Sequence, residues 1–205
     1  MNYEISYVLP RNLVNAIDKF AIQTKSTRFE IFFIVWASVL AQVTGQSDFC
    51  IGVPVRQRNT PSLENTIGCY INMLCIRVRE IPIPANLTIK SIHNMRCNIR
   101  QSLARQDIPL YKILELVKIE RNERPPLFQT LFALQDNPHP YLKLKDVGST
   151  FIRQPYLELP LELHAEIWPS PNGSLELSLS YQTKYISTQL AEQFGTLFVN
   201  AYRDQ

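Results

Sequence analysis

The chain has 205 residues, of which 45% are apolar and 19% charged, with a formal net charge of +3. That length and balance are ordinary for a soluble globular protein and suffice for one domain, taken as residues 1–205, with a substantial core. The small basic excess is scattered rather than striped, which argues against a nucleic-acid partner.

Residues 3–9 alternate loosely and predict a strand closed by Pro10. Leu13, Ile17, Phe20 and Ala21 then recur at a helical period over residues 11–24. A second helix is predicted over 28–43, with Thr27 as N-cap and Gly45 as its C-terminal cap. Apolar nearly all round, it reads as a buried core helix, and its most apolar window of about 13 residues is too short to span a bilayer. No membrane partner is expected. The first residues lack a basic region followed by an apolar block, so no signal peptide is expected and a cytoplasmic location is.

Residues 49–55 predict a short strand, with Pro54 marking its end or a sheet edge. Residues 67–78 form a nearly continuous apolar run, predicted as a strand covered on both faces. Gly68 and Asn72 are its unusual members. An amide buried without partners costs about 1–3 kcal/mol, so Asn72 is either a structural pin or a group aimed at a ligand. After an extended connector at 81–84, Thr88 caps a long amphipathic helix with Ile89, Ile92, Ile99 and Leu103 along one side. Its Lys90, Arg96, Arg100 and Arg105 read as a solvated face, with reception of an acidic carrier protein as the alternative. Residues 106–109 end that helix and begin another, which Asp107 is placed to cap, with Pro109 tolerated in its first turn.

A strand is predicted over 127–134. Residues 161–167 and 175–181 alternate on either side of Pro171-Asn172-Gly173, predicting a half-buried hairpin turned at Asn-Gly, with His164 on its polar side. A final helix starts near Ser187, with Leu190, Phe194, Leu197, Phe198 and Tyr202 as its apolar stripe. This order predicts an α/β sandwich around a mixed sheet, not a doubly wound parallel fold.

Little in the chain offers independent chemistry. Cys50, Cys69, Cys75 and Cys97 show no C-x-x-C spacing, so no metal site is expected and the cysteines read as reduced, buried thiols. The histidines stand alone at 93, 139 and 164, and none begins H-x-x-x-D. No G-x-S-x-G elbow, phosphate-binding loop or dinucleotide fingerprint is present. No catalytic residue is assigned.

Four segments, in order, resemble the condensation domains of nonribosomal peptide synthetases. G-V-P-V-R-Q-R-N at 52–59 is similar to G-x-P-V-x-x-R-N and carries Arg58. I-G-C-Y-I-N-M at 67–73 resembles I-G-x-F-V-N-T and carries Gly68 and Asn72, with Met73 in place of Thr. R-Q-D-I-P-L-Y at 105–111 is similar to (H/N)-Q-D-x-P-F-E and carries Gln106, Asp107 and Pro109. E-R-N-E-R-P-P-L at 120–127 resembles R-D-x-S-R-x-P-L, carrying Arg121, Arg124 and Pro126, with Asn122 for the Asp and one residue fewer.

The resemblance covers nearly the whole chain but only the C-terminal lobe of the family. It implies a chloramphenicol acetyltransferase-like two-layer sandwich, with a mixed, mostly antiparallel sheet and helices packed on one face. It implies part of an acyltransferase that joins aminoacyl or peptidyl thioesters into amides. The H-H-x-x-x-D-G motif of the family's other lobe is absent, so inactivity alone is expected. The implied partners are an N-terminal condensation lobe and peptidyl or acyl carrier proteins. Their 4'-phosphopantetheine arms bear the substrates, and no cofactor is bound by this chain. Gly68 and Asn72 are implied to face the substrate channel, and the other matched positions to be structural. Arg58 is either an anion site for a pantetheine phosphate or a loop arginine pairing with a carboxylate or carbonyls. The alternatives are a non-catalytic module recruiting a carrier or partner enzyme, and an orphan remnant.

Overall fold

The structure is a computed structural model that describes residues 2–58, 60–117, 123–135, 145, 147–148, 158–170 and 172–202. Its elements run β1 (Asn2–Leu9), α1 (Arg11–Gln23), α2 (Arg28–Thr44), β2 (Asp48–Arg56), α3 (Pro61–Glu64), β3 (Ile71–Arg79), a 3-10 turn (Pro84–Asn86), α4 (Ile89–Leu103), α5 (Leu110–Leu116), β4 (Thr130–Leu134), β5 (Leu163–Pro169), β6 (Leu175–Gln182) and α6 (Thr188–Asn200). The six strands lie in the order β1-β6-β5-β4-β2-β3. β4 runs parallel to β2 and β5, and every other pairing is antiparallel. The sheet is mixed and mostly antiparallel, and α1, α2, α4 and α6 bury their apolar faces in the main core on one side of it.

Helix α2 occupies the middle of the helical layer, with eleven consecutive residues from Glu30 to Leu40 buried. Phe29 and Phe33 rest on Phe132 of β4, while Phe32 and Trp36 meet Phe198 of α6. Burying each such side chain stabilises the fold by about 1.5–3 kcal/mol. The ends of α2 follow local rules. Thr27 and Glu30 form a reciprocal capping box, and Gly45 closes the helix at φ 69°.

The charged face of helix α4 meets solvent at Lys90, Arg100 and Arg105, as expected, and it also ties the helix to its neighbours. Arg100 makes a two-pronged ion pair with Glu30 at 2.6 and 3.1 Å, and the Glu30 contact raises the Arg100 pKa. Arg96 donates to the carbonyls of Thr24 and Lys25, at the end of α1 where unsatisfied carbonyls collect. Two of the four cations thus tie α4 to the α1–α2 corner. A buried carboxylate such as Glu30 needs that partner.

Three further expectations change. Residues 67–70 are not strand and Ile67 is fully exposed. β3 is an edge strand with Leu74, Ile76 and Val78 turned to the main core. Its other face is covered around Met73 and Cys75 by a smaller cluster of Phe128, Leu131, Ala133 and Leu161. β2 continues through Pro54, inside the sheet. Its register with β4 is confined to Gly52↔Leu131, so the N–H that proline lacks interrupts no continuing ladder there. The cysteines, read as buried, are exposed at Cys69 and partly exposed at Cys50, Cys75 and Cys97.

The hairpin forms, with Gly173 at φ 80° and Asn172 Oδ1 accepting from Ser174 N–H at 2.9 Å. Its polar side, however, is buried: Glu162, His164, Glu166, Ser178 and Ser180 are all at most 4% exposed. Alternation marks two faces but not which of them meets water. Burial lowers the His164 pKa from 6.5 to about 4. Between those values the unfolded chain binds a proton that the folded chain refuses. This contribution to stability is therefore complete above the unfolded value and lost as pH falls toward 4. Denaturant titrations should show a loss of about 3 kcal/mol across that window, and His164→Gln should flatten the slope.

No single helix among the described residues is long and apolar enough to cross a membrane. Tyr7 of β1 donates to the Glu192 carbonyl of α6 at 3.1 Å, and a Cβ on Gly195 would fall inside the Tyr7 ring. Gly195→Ala should therefore cost about 1–3 kcal/mol in urea denaturation by overpacking. Tyr7→Ala in the same chain should remove most of that added cost.

Candidate functional site

The carboxyl ends of parallel strands β2 and β4 open into a cleft of about 450 Å³, lined by Phe29 of α2, residues 53–56 and 133–135, and Arg58 with residues 68–71. Crevices at such strand ends are where open α/β sheets hold ligands. One wall is the loop from β2 to β3. Its neck is closed by the Gln57 N–H to the Tyr70 carbonyl at 2.8 Å. Inside it, Arg58 donates to the carbonyls of Leu63, Thr66 and Gly68 and lies 4.5 Å over the Tyr70 ring. Arg58 thereby clamps the loop while also lining the cleft. Arg56 pairs with Glu64 of α3 at 2.5 Å. Gly68 lines the cleft, and a Cβ there would meet the Tyr70 ring at 2.9 Å.

Asn72 is engaged elsewhere. Its Nδ2 donates to the Gln106 carbonyl at 2.8 Å and the Ile108 carbonyl at 2.9 Å, and its Oδ1 accepts from Leu110 N–H at 3.3 Å. Gln57 Nε2 also reaches the Gln106 carbonyl, at 3.0 Å. The exit of β2, the entry of β3 and the α4–α5 elbow are thereby tied at one oxygen. Asn72 is not among the cleft's lining residues; its carboxamide serves three backbone groups.

This geometry also corrects the expected cap of α5. The N-cap residue is Pro109, which makes no side-chain cap, and the helix starts at Leu110 rather than directly after Asp107. The first helical N–H donates to Asn72 Oδ1 of a neighbouring strand.

Arg124 lies at the opposite end of the sheet. It grips the carboxylate of Glu162 at 2.5 and 2.6 Å, which raises its pKa. It borders a smaller cleft of about 200 Å³ beside Phe49, Cys50 and Thr130, where β2 and β4 begin. Pro126 accepts from Phe128 N–H at 2.9 Å around Leu127, held at φ 68°. A leucine in that region is strained. Arg121 lies outside the described residues, as does His139. The matched segments therefore divide between the two ends of the sheet.

His93 is exposed on α4 beside Arg96, at 2.8 Å, and His164 is buried in β5; neither lines the larger cleft. Sequence reasoning missed Gln57, Glu30 and Glu162. Each acts on a partner 38 to 70 residues away, and no local pattern marks such pairs.

The elbow gives a direct test. Asn72→Ala should destabilise the chain by about 1–3 kcal/mol, because the Ile108 carbonyl and the Leu110 N–H lose their partner and the Gln106 carbonyl keeps only Gln57. Amide exchange at Leu110 should accelerate. Asn72→Asp should be no better, since a carboxylate can accept from Leu110 but cannot donate to the two carbonyls.

Residues 2–202 match the family model described as Condensation domain. The chain is 26% identical over 205 residues to tyrocidine synthase 3 of Brevibacillus parabrevis, covering 97% of this chain and 3% of that protein. A solved condensation domain from the monacolin K polyketide synthase MokA overlays with a TM-score of 0.85 at 18% identity, covering 98% of this chain and 46% of that one. The complex of the X-domain and OxyB from teicoplanin biosynthesis overlays at 0.73 and 16% identity, covering all of this chain and 46% of that one. The chain thus spans less than half the length of each of these relatives. With a matching fold, the family's motif positions in order and a family match across almost its whole length, this chain belongs to the condensation domain family.

Proposed function

We propose that this chain is the C-terminal lobe of a nonribosomal peptide synthetase condensation domain. The observation that carries the reading is coverage: nearly all of this chain corresponds to less than half of a solved condensation domain. The histidine motif expected of the other lobe is absent from this sequence. In the proposed reaction, an amine on one carrier's pantetheine arm attacks the thioester carbonyl on another. The amide C–N bond forms, the C–S bond breaks, and the thiol leaves with a proton.

This chain contributes geometry. The cleft beside Gly68 and Tyr70 forms one wall of the channel, and Asn72 keeps the adjoining elbow in place. Holding two thioester arms in near-attack geometry is worth up to about 7–11 kcal/mol. In the larger cleft, Arg58 and Arg56 already serve the loop, which suits a wall better than an independent catalytic centre. The proton-moving histidine then belongs to the partner lobe.

A second reading rests on the likeness to the X-domain, whose structure is a complex with OxyB. Under it, the chain recruits an enzyme or carrier and forms no bond. One experiment separates the two. The chain is mixed with an N-terminal lobe carrying H-H-x-x-x-D-G and with donor and acceptor carriers loaded as thioesters, and amide product is followed by mass spectrometry. Product should form only in the mixture and vanish when the second histidine of the supplied lobe is changed to alanine. Product from this chain alone, or an inert mixture in which the chain still binds a carrier, would overturn the first reading.

A further inference from the structure

Cys50 and Cys75 face each other across a ladder. The register pairs Cys50↔Arg77 and Gly52↔Cys75 make the two cysteines diagonal neighbours on adjacent strands. Both project to the same face of the sheet, against the cluster around Phe128 and Leu131. Cys75 stands opposite Gly52, and the space a side chain would take there is filled by the Phe128 ring. Cys50 also borders the 200 Å³ cleft where β2 begins, and both cysteines are partly exposed.

We propose that Cys50 and Cys75 form an oxidative modification site for a small hydroperoxide, with Cys50 oxidised first and Cys75 closing a cross-strand disulfide. The Cys50 thiolate attacks a peroxide oxygen, the O–O bond breaks, and the leaving oxygen takes up a proton. Cys50 becomes a sulfenic acid. Cys75 then attacks that sulfur, forming the S–S bond and releasing water. Two thiols give up two electrons and two protons, and hydrogen peroxide is reduced to two waters.

The electrostatics agree with the order of events. The neighbouring Cys75 thiol lowers the Cys50 pKa, and Arg77 adds to this against the opposing effect of burial. The same contact and burial push Cys75 up. A stabilised thiolate beside a resolving thiol is the arrangement that makes a cysteine selectively oxidisable. Geometry sets one demand. Diagonal neighbours lie about 7–8 Å apart, their Cβ atoms somewhat closer, whereas a disulfide needs Cβ atoms about 3.5–4.5 Å apart. Only the β2–β3 ladder has to yield for that shift, since β3 is an edge strand with no second neighbour. A bond made under that constraint is readily reduced again.

The test treats the folded chain with hydrogen peroxide, blocks the remaining thiols and maps the peptides. The chain should lose the mass of two hydrogens, yield a linked Cys50–Cys75 peptide, and return to its starting mass with dithiothreitol. Cys75→Ser should stop at a sulfenic acid on Cys50, captured by dimedone. Cys50→Ser should abolish the link without oxidation moving to Cys75. Should either variant fail to fold, alkylation of the native chain decides, with Cys50 expected to react faster than Cys97. Oxidation confined to Cys69 or Cys97, a link that appears only in unfolding urea, or an unchanged mass would each overturn the proposal.

Discussion

The enclosure of α2 is the constraint on which the rest depends. A helix apolar on every side cannot lie on a surface, so the chain must place sheet beneath it and helices around it. Phe29 and Phe33 meet β4 while Phe32 and Trp36 meet α6, which fixes the relative heights of sheet and helices. The polar start of α2 is then trapped as well. Glu30 caps the helix and must still neutralise its charge inside the core, and Arg100 does so from α4. One buried helix thus dictates where three others sit.

The cleft inherits its shape from that packing. Phe29 projects from the first turn of α2 to its rim, while the loop opposite is held by bonds from side chains to backbone. Arg58 gathers three carbonyls, Gln57 and Asn72 share a fourth, and Arg56 holds α3. Such groups make a rigid surface and leave little chemistry unspent. The proposed role, shaping a space rather than moving protons, draws on this engagement of Arg58, Gln57 and Asn72.

The sequence was most informative where structure is local. Thr27 with Glu30, Gly45, Thr88, Ser187 and the Asn172-Gly173 turn each act within a few residues, and each element they bound is present. It was least informative where partners are distant or where burial is decided by layers. The alternation of Leu163, Ala165 and Ile167 with Glu162, His164 and Glu166 revealed the strand, yet both faces are covered. Arg96 and Arg100 showed only as an outer surface, because a helical wheel carries no record of the α1–α2 corner that they also tie. Asn72 was conspicuous as an amide among apolar residues. Its partners at 106, 108 and 110 could not be read, since pairing across 34 to 38 residues leaves no periodic trace.

The borrowed cap of α5 has a consequence for the order in which the molecule comes apart. A helix of seven residues does not persist in water by itself, and this one takes its first acceptor from a strand laid down much earlier in the chain. It therefore depends on that anchor and on Leu110 packed against the cluster around Phe128, and so belongs among the segments that open locally more cheaply than the core around α2. Breathing of the protein should begin at this corner, beside the mouth of the cleft.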